Sequence, residues 1–416
     1  MKLDNVKDIS NKISKKNKIS FLNNFFKKNV LKNFSLIKIG FIEITDGSDV
    51  FEVGNKNDAL KCSISIESSE FYSFIGSGGI LGATEAYAAG LWKCSDLVAL
   101  TQIMVRNKKL MANLDSGLAK LFVPINKFIH YRKRNTVLGS KKNILAHYDL
   151  GNDFYRLWLD DTMTYSCAYF DDEKTPLEDA SRKKLDMICK KLNLSKNDSV
   201  LEIGTGWGSF SIHAAQNYGC NITTTTISDE QYDFAVNRIK KLGLSDKITV
   251  VQKDYRLLDG KYDKIASIEM IEAVGHKNVP TYFEKVSNLL KDGGLFAMQG
   301  ITYNDQNFDT YKNSVDFINK YIFPGSCLIS VSQISDIVKN KTKFDFIDLE
   351  DITLHYAKTL NIWRKNFLGK TKEIKKMGFS DTFIRLWEFY LTYCEAGFLE
   401  KNIGDYQFVF SKQKNY

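Results

Sequence analysis

Val200-Leu201-Glu202-Ile203-Gly204-Thr205-Gly206-Trp207-Gly208-Ser209 is the stretch on which the fold turns. An apolar, β-type run ends in three glycines at alternate positions, and a helix-like segment follows. The pattern predicts a strand, a tight turn and a helix N-terminus. Glycine lets the backbone take φ > 0 and brings N–H groups against a ligand with no Cβ in the way. The spacing is G-x-G-x-G, not the G-x-G-x-x-G of dinucleotide folds. An acid, Glu202, sits just inside the turn. This arrangement suits S-adenosylmethionine (AdoMet), whose amino acid portion packs on a glycine loop and carries no pyrophosphate. A glycine turn in another α/β fold would look the same in isolation, so the flanking sequence matters.

Downstream, helical and β-type segments alternate. A helix is expected over 178–193, then strands over 198–204, 221–227, 247–252, 262–270 and 294–301. Ser228 is the expected N-cap of the helix after the second strand, with Gln231 at the reciprocal capping-box position. Such alternation implies a parallel, doubly wound sheet. Ligands gather outside the carboxyl ends of its strands. Those ends carry Gly204–Gly208, Thr226–Gln231, Asp254–Tyr255, Glu269–Glu272 and Gln299–Ile301. A nucleoside site usually has an acid after the second strand for the ribose hydroxyls; here the position holds Thr226, with Gln231 a turn later. Both can hydrogen-bond ribose without a charge, and Asp254 can accept from an adenine amino group.

The remainder of the chain sets bounds. Its 416 residues are enough for two or three domains. No run of apolar residues is long enough for a transmembrane helix, and no signal-peptide pattern is expected at the N-terminus. The seven cysteines and five histidines are scattered, which reads as reduced cytosolic thiols and no metal centre. Net charge is +9, in three basic runs: nine lysines within 1–33, then Lys127 to Lys142, then Arg364 to Lys376. Each is either a solvated face or an attraction to polyanions such as nucleic acid or anionic lipid.

Four segments follow from this. Residues 1–33 form a basic amphipathic segment with Phe21, Leu22, Phe25, Phe26 and Val30 on one face, suited either to a membrane interface or to docking on the next domain. Residues 34–125 read as a small α+β domain with strands at 36–39, 41–44, 50–53 and 62–66 and a helix over 96–105. Residues 126–145 read as a basic linker, and 146–416 as the main domain. Within the last, 302–416 looks mostly helical and aromatic, with a possible edge strand at 407–411. Its helix over 383–398 fits either a wall around an apolar substrate or an ordinary core.

Six ordered motifs resemble those of the cyclopropane-fatty-acyl-phospholipid synthases and the related mycolic acid cyclopropane synthases. They are His147-Tyr148-Asp149-Leu150-Gly151-Asn152; Thr164-Tyr165-Ser166-Cys167-Ala168-Tyr169-Phe170; the Leu201–Gly208 turn; Thr226-Ile227-Ser228-x-x-Gln231; Ser267-x-Glu269-Met270-x-Glu272-x-Val274-Gly275; and Asn319-Lys320-Tyr321-Ile322-Phe323-Pro324. The resemblance spans about 76–416, and 34–125 looks like the extra N-terminal domain of the bacterial phospholipid enzymes. It implies a class I AdoMet-dependent methyltransferase fold, Rossmann-like and doubly wound, with a helical lipid-site insertion and a small N-terminal α+β domain.

The resemblance also implies the chemistry. A cis alkene takes the AdoMet methyl group, and a base removes a proton from the resulting carbocation so that a ring closes. In that family bicarbonate serves as the base. By motif, its pocket here would use the backbone of Cys167 and Ile301 and the side chains of Glu272 and Tyr356. The fifth contact, usually histidine, is Gln299, which cannot become cationic or take a proton. This departure leaves a methylene or methyl branch open as an alternative product. AdoMet would be held by Tyr165, Ser166, Gly204, Gly206, Thr226, Gln231, Asp254 and Tyr255. The implied partners are an unsaturated phospholipid in an anionic membrane and a second copy of the chain as a homodimer, with no nucleic acid. The implied location is cytoplasmic, at the inner membrane face. A base-methylating Asn-Pro-Pro-Tyr motif is missing after the fourth strand, where Glu269-Met270-Ile271-Glu272 stands.

Overall fold

Near the N-terminus, alternating residues pair as their pattern demands. Phe41–Asp46 (β1) and Asp49–Gly54 (β2) form an antiparallel hairpin; Lys61–Ile66 (β3) lies parallel to β1, and Trp92–Cys94 (β4) closes the order β2-β1-β3-β4. Ile42, Ile44, Cys62, Ile64 and Ile66 all face the core, as period two requires. The structure, a computed structural model, describes residues 20–107 and 150–414. The linker at 126–145 and the basic run from Lys127 to Lys142 lie outside the described residues, as do the first nineteen positions.

Among the described residues this small sheet belongs to one compact unit comprising 20–107, 315–322 and 360–402; the other comprises 150–314, 323–359 and 403–414. The division is discontinuous in sequence, whereas the expected domain at 146–416 was unbroken. Helix Asp381–Leu399 shows why. Its Phe383, Leu386, Trp387, Tyr390 and Leu391 are buried, and it packs on helices Glu70–Ala88 and Leu97–Arg106 of the same unit. Its aromatic face therefore serves as core. Helix Ser20–Phe34 also joins this unit, packing on Glu70–Ala88 with Phe26 and Val30 buried and Phe25 exposed. Gly76 makes that contact possible, because a Cβ there would lie 2.0 Å from the Phe26 ring. The docking alternative thus holds for Phe26 and Val30. The side chains of Phe21 and Leu22 lie outside the described residues. Residues 36–39 form a turn, not the expected strand, and the glycine-rich 76–82 run is helical, interrupted at Gly79.

In the second unit Ser199–Ile203 (β5), Asn221–Thr225 (β6), Ile248–Val251 (β7), Tyr262–Ile268 (β8) and Leu290–Tyr303 (β9) pair in parallel. Phe344–Asp351 (β10) and Ile403–Lys412 (β11) complete the order β10-β11-β9-β8-β5-β6-β7, with β11 antiparallel to both neighbours. The doubly wound expectation holds. The chain reverses direction across the sheet between β5 and β8, which is where such folds bind ligands. Two expectations fail. β10 was missed because only Phe344 is buried, leaving no alternation to read. β11 is no edge strand: it is inserted between β9 and β10, and its Phe408, Val409 and Phe410 are fully covered.

Candidate active site

The site begins at the glycine turn. Gly204, Gly206 and Gly208 have φ of +105°, +52° and +87°, a region closed to most side chains. The N–H groups of Gly204 and Thr205 donate to the Thr225 carbonyl at 3.1 and 3.0 Å, pinning the turn to the end of β6. Helix Ser209–Tyr218 follows directly. Glu202 lies beneath the turn, where Thr224 Oγ1 donates to it at 2.6 Å and Ser211 donates to the same oxygen. Burial pushes its pKa up to about 7. Its bonds make it a brace between β5 and β6. Trp207 Nε1 donates to Asn152 Oδ1 at 2.6 Å, and the Tyr155 ring lies 5.0 Å from Trp207 and 5.4 Å from Tyr165. The two aromatic motifs therefore back the glycine turn.

Thr226 and Gln231 meet. Thr226 Oγ1 donates to Gln231 Oε1 at 2.9 Å, and Ser228 Oγ accepts from the Gln231 N–H at 3.3 Å. Ser228 is the N-cap expected. The reciprocal half of the capping box differs: the Ser228 N–H goes to Thr226 Oγ1 at 3.1 Å instead of to Gln231. With Oε1 committed as acceptor, the end of Gln231 suited to a ribose hydroxyl is its Nε2 donor. After β7, Asp254 does not present a free carboxylate. It caps the turn Tyr255–Leu257 and is held by Arg256 Nε and Nη2 at 2.8 and 2.6 Å. The Tyr255 side chain joins the core, 5.3 Å from the Tyr282 ring. What this turn offers a nucleoside is backbone.

The second half of the site lies at the ends of β8 and β9. Glu269 follows β8 with φ +48°, a conformation costing a non-glycine residue about 1–3 kcal/mol. Its N–H donates to the Gln299 carbonyl at 2.8 Å. Its carboxylate is a focus of donors: Oε1 accepts from the Cys167 N–H at 2.8 Å and Gln299 Nε2 at 2.7 Å, and Oε2 accepts from the Tyr356 hydroxyl at 2.6 Å. Glu272 Oε1 accepts from the Ile301 N–H at 2.6 Å; its Oε2 is shielded from solvent with no partner among the described residues. The structure thus brings together Cys167, Glu272, Gln299, Ile301 and Tyr356.

Sequence reading missed three members of this cluster. β11 sets Gln407 opposite Gln299 and Asp405 opposite Ile301. Gln407 Nε2 donates to Gln299 Oε1 at 3.1 Å, which turns the Gln299 amide so that Nε2 reaches Glu269 and, at 3.2 Å, Asp405. Lys184, fully buried, donates from Nζ to Ser166 Oγ at 2.6 Å. A signal for it existed: Ala180, Ser181, Lys184, Leu185 and Ile188 form the buried face of helix Leu177–Lys191, so the lysine sits among core positions.

Three carboxyl groups therefore share a region with one buried lysine, whose pKa burial lowers and the nearby acids, Glu269 first, raise. Burial raises the pKa of Glu269, while Lys184 and the Tyr356, Cys167 and Gln299 donors pull it back. Burial and then the Glu269 charge push Glu272 up to about 8. Asp405 is raised well above the usual range by burial, then by Glu269 and Glu272. Negative charge settles on Glu269, the carboxyl with three donors. Burial also raises the Cys167 thiol, whose Sγ faces the Ala168 carbonyl at 3.1 Å. That thiol is no thiolate nucleophile, and the part of Cys167 at work in the site is its backbone N–H.

Bicarbonate does not fit this donor set. The Cys167 N–H, the Gln299 amide and the Tyr356 hydroxyl already bind Glu269, and the Ile301 N–H binds Glu272. A further anion would face buried carboxyls in place of free donors.

Known proteins resemble this chain in sequence and in fold. The sequence model of the family described as mycolic acid cyclopropane synthetase matches residues 137–408. A cyclopropane-fatty-acyl-phospholipid synthase of Escherichia coli K12 is 36% identical over 362 residues, 86% of this chain and 89% of that protein. A tuberculostearic acid methyltransferase of Mycobacterium tuberculosis is 35% identical over 346 residues, 82% of this chain and 80% of the relative. Among solved structures, a cyclopropane synthase from Mycobacterium tuberculosis superposes with a TM-score of 0.61 at 28% identity, covering 65% of this chain and 98% of its own. A mycolic acid cyclopropane synthase complexed with SAH and CTAB gives the same values.

Proposed function

The chain belongs to the mycolic acid cyclopropane synthetase family, and we propose that it transfers the methyl carbon of AdoMet to a cis double bond of an unsaturated phospholipid acyl chain and closes a cyclopropane ring there. The observation that carries this reading is the placement, on neighbouring strand ends, of a glycine turn at positive φ and a carboxylate held by three donors. Bound on that turn, AdoMet would supply an electrophilic methyl group for the alkene π pair, its sulfur–carbon bond being the one given up. The glycine turn, Tyr165 and the Ser166 segment would hold its amino acid portion, and Thr226 with Gln231 Nε2 its ribose. A strand-end carboxylate would then take the proton that the carbocation must lose, in a region where buried side chains exclude water.

The test is product analysis. Purified protein is incubated with methyl-labelled AdoMet and vesicles of unsaturated phospholipid, and the acyl chains are examined by mass spectrometry and proton NMR. High-field ring protons are expected. Alkene CH₂ protons would move the reading to a methylene branch, which mass cannot separate from a ring. Gln299, in the place where the family usually has histidine, keeps that second reading open. A 35% identical relative named a tuberculostearic acid methyltransferase is a further reason to test it.

The basic runs support an anionic membrane as the partner surface. Arg364, Lys370 and Lys375 already pair with Glu395, Glu373 and Asp381. The run from Lys127 to Lys142 contains no acid and is the better candidate. Glu substitutions at Lys127, Arg132 and Lys133 should weaken binding to anionic vesicles by about 1 kcal/mol per lost charge; unchanged sedimentation would reject this contact.

A further inference from the structure

We infer that Glu269 is the proton acceptor of this enzyme, a carboxylate built into the chain where the family resemblance calls for bound bicarbonate. The inference rests on the reading of the chain as an acyl-chain methyltransferase. Its first support is coincidence of partners. Of the five groups that the resemblance assigns to the anion, three donate to the Glu269 carboxylate: the Cys167 N–H at 2.8 Å, the Gln299 amide at 2.7 Å and the Tyr356 hydroxyl at 2.6 Å. A carboxylate and bicarbonate present the same planar O–C–O⁻ group, so one set of donors serves either.

The second support is the backbone. Glu269 holds φ +48°, a conformation in which glycine is cheapest and glutamate is strained. A side chain kept at such cost points to work done by the side chain itself. The third is the rest of the pocket. Glu269 already occupies the Cys167, Gln299 and Tyr356 donors and the Ile301 N–H is taken by Glu272, so a second free anion beside Glu269 would meet a carboxylate and no free donor. Gln299, held by Gln407, donates to Glu269 without competing for its proton. The glutamine that looked like a defect in a bicarbonate pocket is the right residue beside a fixed carboxylate.

The step balances simply. After methyl transfer, one carbon–hydrogen bond of the cationic acyl chain breaks and its proton goes to a Glu269 oxygen. The freed electron pair forms the ring bond or, in the branched product, a carbon–carbon double bond. The glutamic acid then loses its proton to water once product leaves.

The test uses the full chain, AdoMet and unsaturated phospholipid vesicles in decarbonated buffer, with and without millimolar bicarbonate. The wild-type rate is expected to be the same in both. Glu269→Gly, which relieves the backbone and so should fold, is expected to lose about 100-fold or more in turnover and to recover in part with bicarbonate. Glu269→Gln should lose as much and not recover, because its amide fills the space. A wild-type requirement for bicarbonate, or Glu269→Gln turnover within about threefold of wild type, would overturn the inference. A second arm needs no turnover: ¹³C NMR with labelled bicarbonate should detect binding to Glu269→Gly and none to wild type. Binding to wild type, or to neither protein, would overturn the inference even if no lipid is methylated. An absence of any turnover by wild type would count separately, against the methyltransferase reading.

Discussion

The glycine turn after β5 and the carboxylate cluster after β8 lie on adjacent strands of one sheet, yet they are made of different materials. The turn is mostly backbone and neutral side chains: three glycines at positive φ, the Thr225 carbonyl, and Thr226 bonded to Gln231. The cluster is mostly side chains, several ionisable: Glu269, Glu272, Asp405, Lys184 and Tyr356, aligned by two glutamines. The difference follows from what each must hold. A sulfonium donor brings its own charge and needs shape. A proton acceptor needs a charge kept in a dry place, which requires several elements to converge on it.

The largest effect that this contrast predicts comes from Lys184. Lys184→Met leaves the carboxyl group cluster without its buried cation and should cost about 3–5 kcal/mol at neutral pH in denaturant unfolding. The deficit should shrink toward pH 5, because protonation removes the uncompensated charge. A variant as stable as wild type at pH 7 would mean that Lys184 does not balance the cluster.

Glu272 should produce the next effect, in the pH dependence of stability. Its folded pKa, about 8, lies above its ordinary value of 4.5, so between these the folded state binds more protons than the unfolded chain. Stability should therefore fall as pH rises from about 5 to 8, by up to about 1.4 kcal/mol per pH unit from this group. Glu272→Gln should flatten that slope. Equal slopes in the two proteins would remove Glu272 from the proton balance.

The turn should respond through shape. A Cβ on Gly204 would sit 3.1–3.2 Å from the Met270 side chain at φ +105°, whereas one on Gly206 meets nothing within 4 Å. Gly204→Ala is expected to weaken AdoMet binding about tenfold, near 1.4 kcal/mol, and Gly206→Ala by less, both measured by calorimetry. The reverse ranking would mean that the ligand, not Met270, sets the tight contact. The smallest effect is expected from Gln407→Leu, which frees the Gln299 amide. Turnover should drop about fivefold, near 1 kcal/mol, with AdoMet affinity unchanged. A matching loss of affinity would blur the boundary between the two halves.

The same contrast explains what could be read early. The Gly204–Gly208 turn, the Ser228 cap and the alternation of strands and helices are local: each rests on backbone chemistry within a few residues, and each is found in the fold. Cys167, Glu272, Gln299, Ile301 and Tyr356 were named through motif resemblance, and they do converge. Their partners were not legible. Asp405 and Gln407 reach the site only because β11 pairs with β9 in a particular register, and a shift of one residue would turn both away. Lys184 lies among the core positions of its helix, a local signal that marks burial but not the carboxyl groups it would meet.

By itself, the order of residues determined a doubly wound sheet and a glycine turn suited to AdoMet, because those depend on local conformation and short spacing, and its motifs carried the resemblance that implies a family of reactions. Only the tertiary structure decided which carboxyl group holds the charge. That outcome depends on how many donors reach each group and how much water is removed around it. Glu269 wins because Cys167, Gln299 and Tyr356, from three distant parts of the chain, all end within hydrogen-bonding distance of its carboxylate.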